Sequence, residues 1–431
     1  MKILIKNACA ILPDGYDKNC AVAISDGSIV AVGTAPADFK ADRTIDARGQ
    51  LLTPGFVNAH THNHMTALRN RADDLPFTDW LFKNVMPMED TLTPAEAYYS
   101  VQLAIMELLL SGTTCFLDMH MFPEAFGRAT LDSGMRAVLS RGLTGGAEDT
   151  EGGARRIREM REDIARFRGE ELLSFMVGPH APYTCDEAYL KETAALAEEL
   201  GVGIHTHLSE SEDEQKTISE RYGCTPAEFY GRCGILRENT VCAHCVQLSE
   251  SDMALLASRG CSVVHNAASN MKLGNGFADV PAMLAHGINV CLGTDSAASN
   301  NSLSMLREME LVSLIHKGTH RDATAVSAYA VFDMATKNGS KALGLGGKTG
   351  EIKAGMRADL ALFPMDSIGF FPVGDPKAAL CYSSAGLRAD TVLVNGNILL
   401  EHGEFKTIDA ERVKYEIGKL DERLTGKEEN V

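Results

Sequence analysis

Short apolar runs of β type alternate with helical patterns through the middle of the chain. The β-type runs fall at 55–60, 113–118, 136–141, 173–179, 202–207, 240–245, 261–265 and 288–293. This alternation predicts a parallel sheet wrapped by helices, and eight runs over roughly 290 residues match a closed (β/α)8 TIM barrel. The first helix has a clear start, because Thr93-Pro94-Ala95-Glu96 combines an N-cap, a proline at the first helical position and a capping-box glutamate.

The two ends of the chain carry a different pattern. The N-terminal part contains short β segments with an Asp-Gly turn at 26–27, and similar segments return at 358–363 and 391–400. An Asp-Gly pair between alternating apolar runs is a good hairpin signal. We therefore predict a small β-sandwich domain built from residues 1–54 and 350–408, a barrel domain over residues 55–349, and a charged helical tail over residues 409–431.

Composition and charge exclude several classes of protein. The chain has 431 residues, of which 45% are hydrophobic and 23% charged, as in globular proteins. A formal net charge of −17 argues against nucleic acid or an anionic membrane as the partner, since both require concentrated Lys and Arg. The most apolar helical stretch, 101–110, is too short to span a bilayer, and no leader-like segment opens the chain. Eleven scattered cysteines fit reduced thiols, so a cytoplasmic protein is predicted.

Two histidines end the first β-type run of the middle region. His60 and His62 stand at i and i+2 in Gly55-Phe-Val-Asn-Ala-His60-Thr-His62. Alternate side chains of a strand share a face, so both imidazoles can point at one atom, which suits a metal ion. A lone buried histidine is more often a core residue, but ligand-type side chains also end three later runs, at His207, His244 and Asp295. Active sites of TIM barrels are built at these strand ends.

These segments resemble those of the amidohydrolase superfamily. The resemblance covers nearly the whole chain and rests on Pro54-Gly-Phe-Val-Asn-Ala-His-Thr-His62, His207-Leu-Ser-Glu210, His244, His265-Asn-Ala-Ala-Ser-Asn-Met-Lys-Leu-Gly-Asn-Gly276 and Gly293-Thr-Asp295. One departure is Ala267, where the family usually has proline. Within the superfamily, the chain is most similar to the 5′-methylthioadenosine/S-adenosylhomocysteine deaminases. The resemblance implies a hydrolase that removes ammonia from the adenine ring of 5′-modified adenosines and leaves the inosine analogue.

The resemblance also implies a metal centre. His60, His62, His207 and Asp295 would be the ligands, and this mixture of three imidazoles and one carboxylate suits Zn²⁺ or Fe²⁺ better than Mg²⁺ or Ca²⁺. Members of the superfamily with two metals use a carboxylated lysine on the fourth strand. The fourth run here has no lysine, so we expect one divalent ion.

Two catalytic roles are implied beside the metal. Glu210 would act as the general acid and base, although a glutamate before a helix is also favoured by the helix dipole. His244 and Asp295 would orient the attacking water; the alternative for His244 is an ordinary core histidine.

Substrate contacts are implied at further positions. Glu89 matches the position at which the resembled deaminases hold the ribose hydroxyls, and its alternative is a surface carboxylate. His180 follows the fourth run and would contact the purine ring. Glu210 would contact the same ring at N1. Arg141 ends the third run and, with Arg155 or its neighbour at 156, would meet a substrate carboxylate. The expected partner is thus a small nucleoside, and the sequence leaves monomer and homo-oligomer open.

Other functions stay open at this stage. A guanine or oxopurine deaminase or a triazine chlorohydrolase would share the metal centre and differ at Glu89, His180 and Arg141. A non-catalytic scaffold would be expected to lose metal ligands, and this chain keeps the set. A sugar-amide deacetylase would have a pocket arranged around a hexosamine.

Cys242-Ala-His-Cys245 has the CxxC spacing of zinc and redox sites. Side chains three apart on a strand face opposite sides, so the two thiols are predicted not to bind one ion, and both cysteines are predicted to be packing residues.

Overall fold

The computed structural model describes residues 1–426, and its strands form two sheets. The strands near the N-terminus are β1 (Lys2–Leu12), β2 (Gly15–Ser25), β3 (Ser28–Gly33), β4 (Arg43–Asp46) and β5 (Gln50–Pro54). Those of the middle region are β6 (Phe56–Thr61), β7 (Thr113–His120), β8 (Arg136–Leu143), β9 (Leu173–Pro179), β10 (Gly203–Leu208), β11 (Thr240–His244), β12 (Ser262–His265) and β13 (Asn289–Leu292). The last are β14 (Leu360–Pro364), β15 (Thr391–Val394), β16 (Asn397–Glu401) and β17 (Glu404–Phe405).

The α-helices connect the strands of the middle region and flank the later ones. They are α1 (Met86–Glu89), α2 (Pro94–Leu110), α3 (Ala125–Ser133), α4 (Thr150–Arg166), α5 (Glu187–Leu200), α6 (Glu212–Tyr222), α7 (Pro226–Cys233), α8 (Glu250–Ser258), α9 (Ala267–Lys272), α10 (Val280–Ala285), α11 (Ala297–Asn300), α12 (Met305–His320), α13 (Ala328–Met334), α14 (Lys337–Ala342), α15 (Pro376–Tyr382) and α16 (Ala410–Thr425). A 3-10 helix at Asn63–Leu68 and a π-helix at Asp79–Val85 precede α1.

Strands β6 to β13 form the predicted barrel. Within the described residues they make an eight-stranded parallel sheet in sequence order, and every strand begins and ends within two residues of its predicted run. Between β13 and β6, Asn58 donates its side-chain amide to Oγ1 of Thr294 at 2.7 Å and accepts the backbone N–H of Thr294 at 3.0 Å. The backbone N–H of Asp295 also donates to the carbonyl of His60 at 3.0 Å. The predicted fold class is therefore confirmed.

Apolar side chains fill the barrel interior below the strand ends. Val57, Leu117, Val138 and Val264 are almost fully buried and belong to one cluster, which Leu343 and its neighbours close from the loop after α14. Helices cover the outer face of the same strands, which explains why strand residues are buried on both sides. The polar residues at the C-terminal ends are thus held on a packed base.

The second sheet combines the two ends of the chain. In residues 1–426 it has nine strands in the order β17-β16-β15-β14-β5-β1-β2-β3, with β4 paired to β1. Strand β14 pairs antiparallel with β5 and so joins the C-terminal strands to the N-terminal ones. Ile3, Val22, Leu360 and Leu393 share one buried core, which means that the sheet curves around its own interior. The boundaries of the two predicted domains stay a prediction.

A buried ion pair links the barrel to this second sheet. Arg136, the first residue of β8, donates from Nε to Oδ2 of Asp359 at 2.6 Å and from Nη2 to Oδ1 at 3.1 Å. The side chains are only 6% and 1% exposed. Asp359 Oδ1 also accepts the backbone N–H of Asn395 at 2.7 Å, so one carboxylate ties three segments together.

The predicted start of the first long helix is confirmed, because Thr93 and Glu96 form a complete capping box at the start of α2. Glu96 also accepts from Arg423 of α16 at 2.9 Å, and Val413 and Leu420 bury one side of that helix. Residues 427–431 of the predicted tail lie outside the described residues. No helix found among residues 1–426 combines the length and apolar composition of a membrane span.

The prediction for the CxxC pair is wrong in one respect. Strand β11 ends at His244, and both His244 and Cys245 have positive φ, 75° and 51°, so strand alternation does not extend to Cys245. The Cys245 thiol consequently lies 3.8 Å from the carbonyl oxygen of Cys242, and both residues are buried in the same hydrophobic cluster.

Candidate active site

Four predicted ligands meet at the C-terminal end of the barrel. His60 and His62 come from β6, His207 from β10, and Asp295 from the turn after β13. Among the described residues, two groups of three side chains could each hold a metal ion, because their ligand atoms lie within 4.8 Å of one another. One group is His60, His62 and His207, and the other is His60, His244 and Asp295. All five side chains are buried.

Backbone carbonyls orient two of the imidazoles. His62 Nδ1 lies 2.7 Å from the carbonyl oxygen of Met119, and His207 Nδ1 lies 2.7 Å from that of His180. A carbonyl can only accept, so each Nδ1 carries the proton and each Nε2 presents its lone pair. The two Nε2 atoms are 3.3 Å apart and share this centre.

The third imidazole is oriented by another histidine. His60 Nδ1 lies 2.7 Å from Nε2 of His205, whose Nδ1 lies 3.0 Å from Oγ of Ser140. His60 Nε2 is buried and has no hydrogen-bond partner within residues 1–426. Burial lowers the pKa of His60 to about 3 and that of His205 well below its usual range, so both rings are neutral.

Two hydroxyls hold the Asp295 carboxylate. Its Oδ2 accepts from Oγ of Ser269 at 2.6 Å and from Oγ of Ser299 at 2.8 Å. Its Oδ1 faces the centre, 3.5 Å from Nε2 of His60 and 3.5 Å from Nε2 of His62. Burial alone would raise the pKa of Asp295, but the surrounding imidazoles outweigh it and lower the pKa below its ordinary value.

This arrangement fits a divalent cation. The lone pairs at Nε2 of His62 and His207 converge on one point beside the Asp295 carboxylate, and the buried Nε2 of His60 points at the same place with no hydrogen-bond partner among the described residues. Three nitrogens and one oxygen form the donor set of catalytic zinc and similar sites. The site is therefore a histidine-rich candidate metal centre.

Glu210 and His244 lie beside the candidate metal centre. Glu210 Oε1 is 3.8 Å from Nδ1 of His244 and accepts from the side-chain amide of Asn275 at 3.1 Å. Nδ1–H of His244 in turn donates a hydrogen bond to Oδ1 of Asn270 at 2.9 Å. Glu210 follows β10 by two residues and precedes α6, so its side chain enters the cavity from the strand end.

The pKa values of this pair differ from ordinary ones. Burial raises the pKa of Glu210 to about 7, with Asp295 and Glu214 adding to the rise and His244 opposing it. Burial would lower the pKa of His244, but the carboxylates of Glu210 and Asp295 raise it above its usual value. A carboxyl group with a pKa near 7 can both take up and release a proton near neutral pH.

The strand ends bend sharply where these residues stand. Ser209, His244, Cys245 and Asp295 have φ values of 50°, 75°, 51° and 58°, in the left-handed region that non-glycine residues rarely adopt. Each such residue costs on the order of 1–3 kcal/mol, and such strain is typical of functional sites. Here it turns the side chains of His244 and Asp295 toward the centre.

One cavity joins the candidate metal centre to Glu89 and His180. Its lining combines these polar groups with apolar side chains from the segment before α1 and from the strand ends, namely Met65, Phe77, Trp80, Leu81, Phe82, Met86, Met119 and Met121. Glu89 forms a hydrogen bond with Nε2 of His64. Burial would raise the pKa of Glu89, but the His64 imidazole outweighs it and lowers that pKa, which keeps the carboxylate ionised.

The arginines lie outside the lining of this cavity. Arg141 donates to Oε2 of Glu159 at 3.1 and 3.0 Å and to the carbonyl of Gly142 at 2.7 Å, and its Nη1 lies 2.9 Å from Sδ of the lining residue Met121. The side chain of Arg155 is 59% exposed, and its Nε lies 3.6 Å from Oε1 of Glu159. The predicted contact of Arg141 and Arg155 with a substrate carboxylate stays a prediction.

Several residues of the site were not predicted from the sequence. They are the supporting partners His64, Ser140, His205, Ser269, Asn270, Asn275 and Ser299. A signal existed for His205, since it stands two residues before His207 on the same strand face. Ser269, Asn270 and Asn275 lie in the 265–276 segment that carries the family resemblance, but their hydrogen-bond partners depend on which loops meet and could not be predicted from it.

Comparisons with known proteins agree with this geometry. Residues 51–399 match the Amidohydrolase family. A 5-methylthioadenosine/S-adenosylhomocysteine deaminase of Acetivibrio thermocellus is 44% identical over 431 residues, covering 98% of this chain and all of that protein. A 5′-deoxyadenosine deaminase of Methanothermobacter thermautotrophicus is 40% identical over 94% of each chain.

A solved structure shares the whole architecture. It is an adenosine deaminase from Xanthomonas campestris with bound zinc, with a TM-score of 0.94, 31% sequence identity and coverage of 98% of both chains. The family match covers the barrel and part of the second sheet, and the relatives extend over both. The chain therefore belongs to the amidohydrolase family of hydrolases.

Proposed function

We propose that this chain hydrolyses the adenine amino group of 5′-modified adenosines, such as 5′-methylthioadenosine and S-adenosylhomocysteine, to give the inosine analogue and ammonia. One observation carries the proposal: a single cavity contains the candidate metal centre, Glu210 and Glu89. The names of the three similar proteins, all deaminases of adenosine or its derivatives, support it.

His60, His62, His207 and Asp295 would hold one divalent ion, for which zinc is the first candidate and Fe²⁺ the second. The zinc bound in the Xanthomonas campestris structure and the nitrogen-rich donor set favour zinc. When bound, such an ion acts as a Lewis acid and lowers the pKa of a coordinated water towards about 7.

Glu210 would carry the proton in two directions. It accepts a proton as the water oxygen attacks C6, and it donates a proton to ring N1, which makes C6 electrophilic. Its pKa of about 7, caused chiefly by burial, suits both steps. A second proton from the attacking water goes to the amino group, the C6–N bond breaks, and ammonia leaves a 6-oxo ring protonated at N1.

His244 would stabilise the charge that develops during attack. The neighbouring carboxylates raise its pKa, which favours a positively charged ring next to the reacting oxygen. Asn270 holds the ring through Nδ1, so Nε2 remains for the substrate side. Asp295, ionised and held by Ser269 and Ser299, would orient the same water through Oδ1.

Glu89 and His180 would bind the nucleoside. A carboxylate can accept hydrogen bonds from both ribose hydroxyls at once, and His64 keeps that carboxylate ionised and in place. His180 would contact the purine ring. Free guanine and the triazines have no ribose hydroxyls to donate to the Glu89 carboxylate, which argues against those two functions.

An ammonia-release screen tests the proposal. The panel is 5′-methylthioadenosine, S-adenosylhomocysteine, 5′-deoxyadenosine, adenosine, guanine and a chlorotriazine, assayed with the zinc-loaded protein. Chloride release is measured for the chlorotriazine, because its hydrolysis releases chloride and not ammonia. We expect turnover of the adenosine derivatives, with loss of the adenine absorbance. Turnover of guanine or the triazine alone would overturn the assignment.

A further inference from the structure

The candidate metal centre has two kinds of imidazole ligand. His62 and His207 place Nδ1 against backbone carbonyls, which only accept, so their protons stay on Nδ1 whatever the centre contains. His60 instead places Nδ1 at 2.7 Å from Nε2 of His205. A neutral imidazole nitrogen can donate or accept, so this contact allows two tautomers.

We propose that His205 is a positioning residue that sets the tautomer of His60, and that loading of the metal centre shifts the protons of both rings together. The inference rests on the metal centre of the proposed function. His205 is fully buried and is held at its other nitrogen by Ser140, whose hydroxyl can donate or accept. Both arrangements of the His60–His205–Ser140 chain are therefore fully hydrogen-bonded.

In the metal-free protein, the proton of His60 is favoured on Nε2. That atom is 3.5 Å from Oδ1 of Asp295, so a lone pair there would face the lone pairs of a carboxylate oxygen, whereas an N–H would face an acceptor. His60 Nδ1 then accepts from Nε2–H of His205, and Ser140 donates to Nδ1 of His205.

In the metal-loaded protein, His60 Nε2 must present its lone pair. One proton leaves Nε2 of His60, the proton between the rings passes from Nε2 of His205 to Nδ1 of His60, and one proton is taken up at Nδ1 of His205. Each ring carries one N–H before and after, so the charge of the pair is unchanged. Nδ1–H of His205 then donates to Ser140. An acceptor that holds the Nδ1–H of a ligand imidazole, here Nε2 of His205 for His60, increases the basicity of that imidazole and its affinity for the metal.

Zinc affinity tests the positioning role. We would measure zinc dissociation constants by competition with a chelating dye for the wild-type protein, His205→Leu and His205→Gln. His265→Leu is the matched control, because His265 is equally buried, ends β12, which lies two strands from β10 in the same sheet, and has no hydrogen bond to either ring nitrogen within residues 1–426. Thermal unfolding of each variant checks that it folds.

We expect His205→Leu to weaken zinc binding roughly 10–100-fold, the usual scale for losing such a partner. Gln can accept from Nδ1–H of His60 through its amide oxygen, so His205→Gln should restore most of the affinity, and His265→Leu should match the wild type. Equal affinity of His205→Leu and wild type, or equal losses for Leu and Gln, would overturn the role. A wild-type protein that binds no zinc would remove the metal centre itself, and the inference with it.

The proton shift has its own readout, which does not depend on activity. Long-range ¹H–¹⁵N correlation spectra of ¹⁵N-histidine-labelled protein report which nitrogen of each ring is protonated. His60 and His205 should both change from Nε2–H to Nδ1–H on addition of one equivalent of zinc, while His62 stays Nδ1–H in both states. The same tautomer of His60 with and without zinc would contradict the coupled shift.

Discussion

Oε1 of Glu210 lies 3.8 Å from Nδ1 of His244, and both side chains are buried at the wall of one cavity. Burial favours the protonated form of Glu210, whereas a positively charged His244 favours the ionised form. The opposing effects leave the pKa of Glu210 at about 7. Near neutral pH, the protonated and ionised forms of Glu210 therefore have similar free energies. The proposed proton transfers need both forms.

Glu210→Gln removes the carboxyl group that would carry the proton and keeps a side chain of nearly the same size and shape. Glu210→Gln should keep its metal and bind substrate, while kcat falls at least about 10²-fold. Glu214→Gln is the matched control, since Glu214 is also buried with a pKa raised by burial to about 7 but does not line the cavity. Its kcat should fall less than about 10-fold. Normal turnover by Glu210→Gln, or loss of its metal, would show that the role is wrong.

The metal centre should hold one ion per chain. Three imidazoles and Asp295 converge on one point, and β9 offers no lysine for a second ion. Elemental analysis of the purified protein should give close to one equivalent, identify the metal, and give almost none for His62→Ala. Two equivalents together with full activity would contradict a single-metal centre.

Glu89 should determine the preference for nucleosides. Glu89→Gln loses the charge that accepts both ribose hydroxyls, so kcat/KM for 5′-methylthioadenosine should fall roughly 10–100-fold, the scale of hydrogen bonds to a charged group. The 2′,3′-dideoxy analogue serves as the control, because wild type and variant should process it at similar rates. Equal losses for both compounds would mean that Glu89 does not bind the ribose.

A variant of Arg141 tests whether this residue binds the homocysteine carboxylate of S-adenosylhomocysteine. Its guanidinium lies directly behind Met121 and is held by Glu159, so a substrate carboxylate would have to compete with Glu159 for it. If it binds that carboxylate, Arg141→Met should raise KM for S-adenosylhomocysteine by about 10-fold, which is about 1.4 kcal/mol, and leave 5′-methylthioadenosine unaffected. An unchanged KM for both substrates would assign the guanidinium to Glu159 alone.

The ion pair between Arg136 and Asp359 should matter for stability. Asp359→Ala leaves a buried guanidinium without its partner, so the free energy of unfolding should fall by about 3–5 kcal/mol. Urea denaturation followed by circular dichroism measures the loss. The double variant Arg136→Met/Asp359→Leu should recover most of it, because no charge is then left buried. A single variant as stable as wild type would show that the pair contributes little.

Much of the barrel could be predicted because its signals are local. Apolar runs of strand length set β6 to β13, and the i, i+2 spacing of His60 and His62 put both rings on one face. The partners of those rings could not be predicted in the same way. Ser140 reaches His205 only because β8 and β10 lie on either side of β9, a relation that no short segment contains.

The error at Cys245 has a similar physical origin. Strand alternation gives side-chain directions only while φ stays in the β region, and φ becomes positive at His244 and Cys245. Neither residue type favours that conformation, so nothing in the local sequence predicts it. The ion pair between Arg141 and Glu159 could not be predicted either, because Glu159 lies on α4, the helix that follows the strand of Arg141.

The backbone contacts of His62 and His207 have a consequence for divergence among related enzymes. The carbonyls that orient these two proposed ligands belong to Met119 and His180, whose side chains line the cavity beside the candidate metal centre. Any amino acid at 119 or 180 supplies the same carbonyl, so selection can replace both side chains and reshape the pocket while the two ligands keep their orientation. Substitutions at these two positions can therefore change which substrates fit the cavity without changing the orientation of His62 and His207.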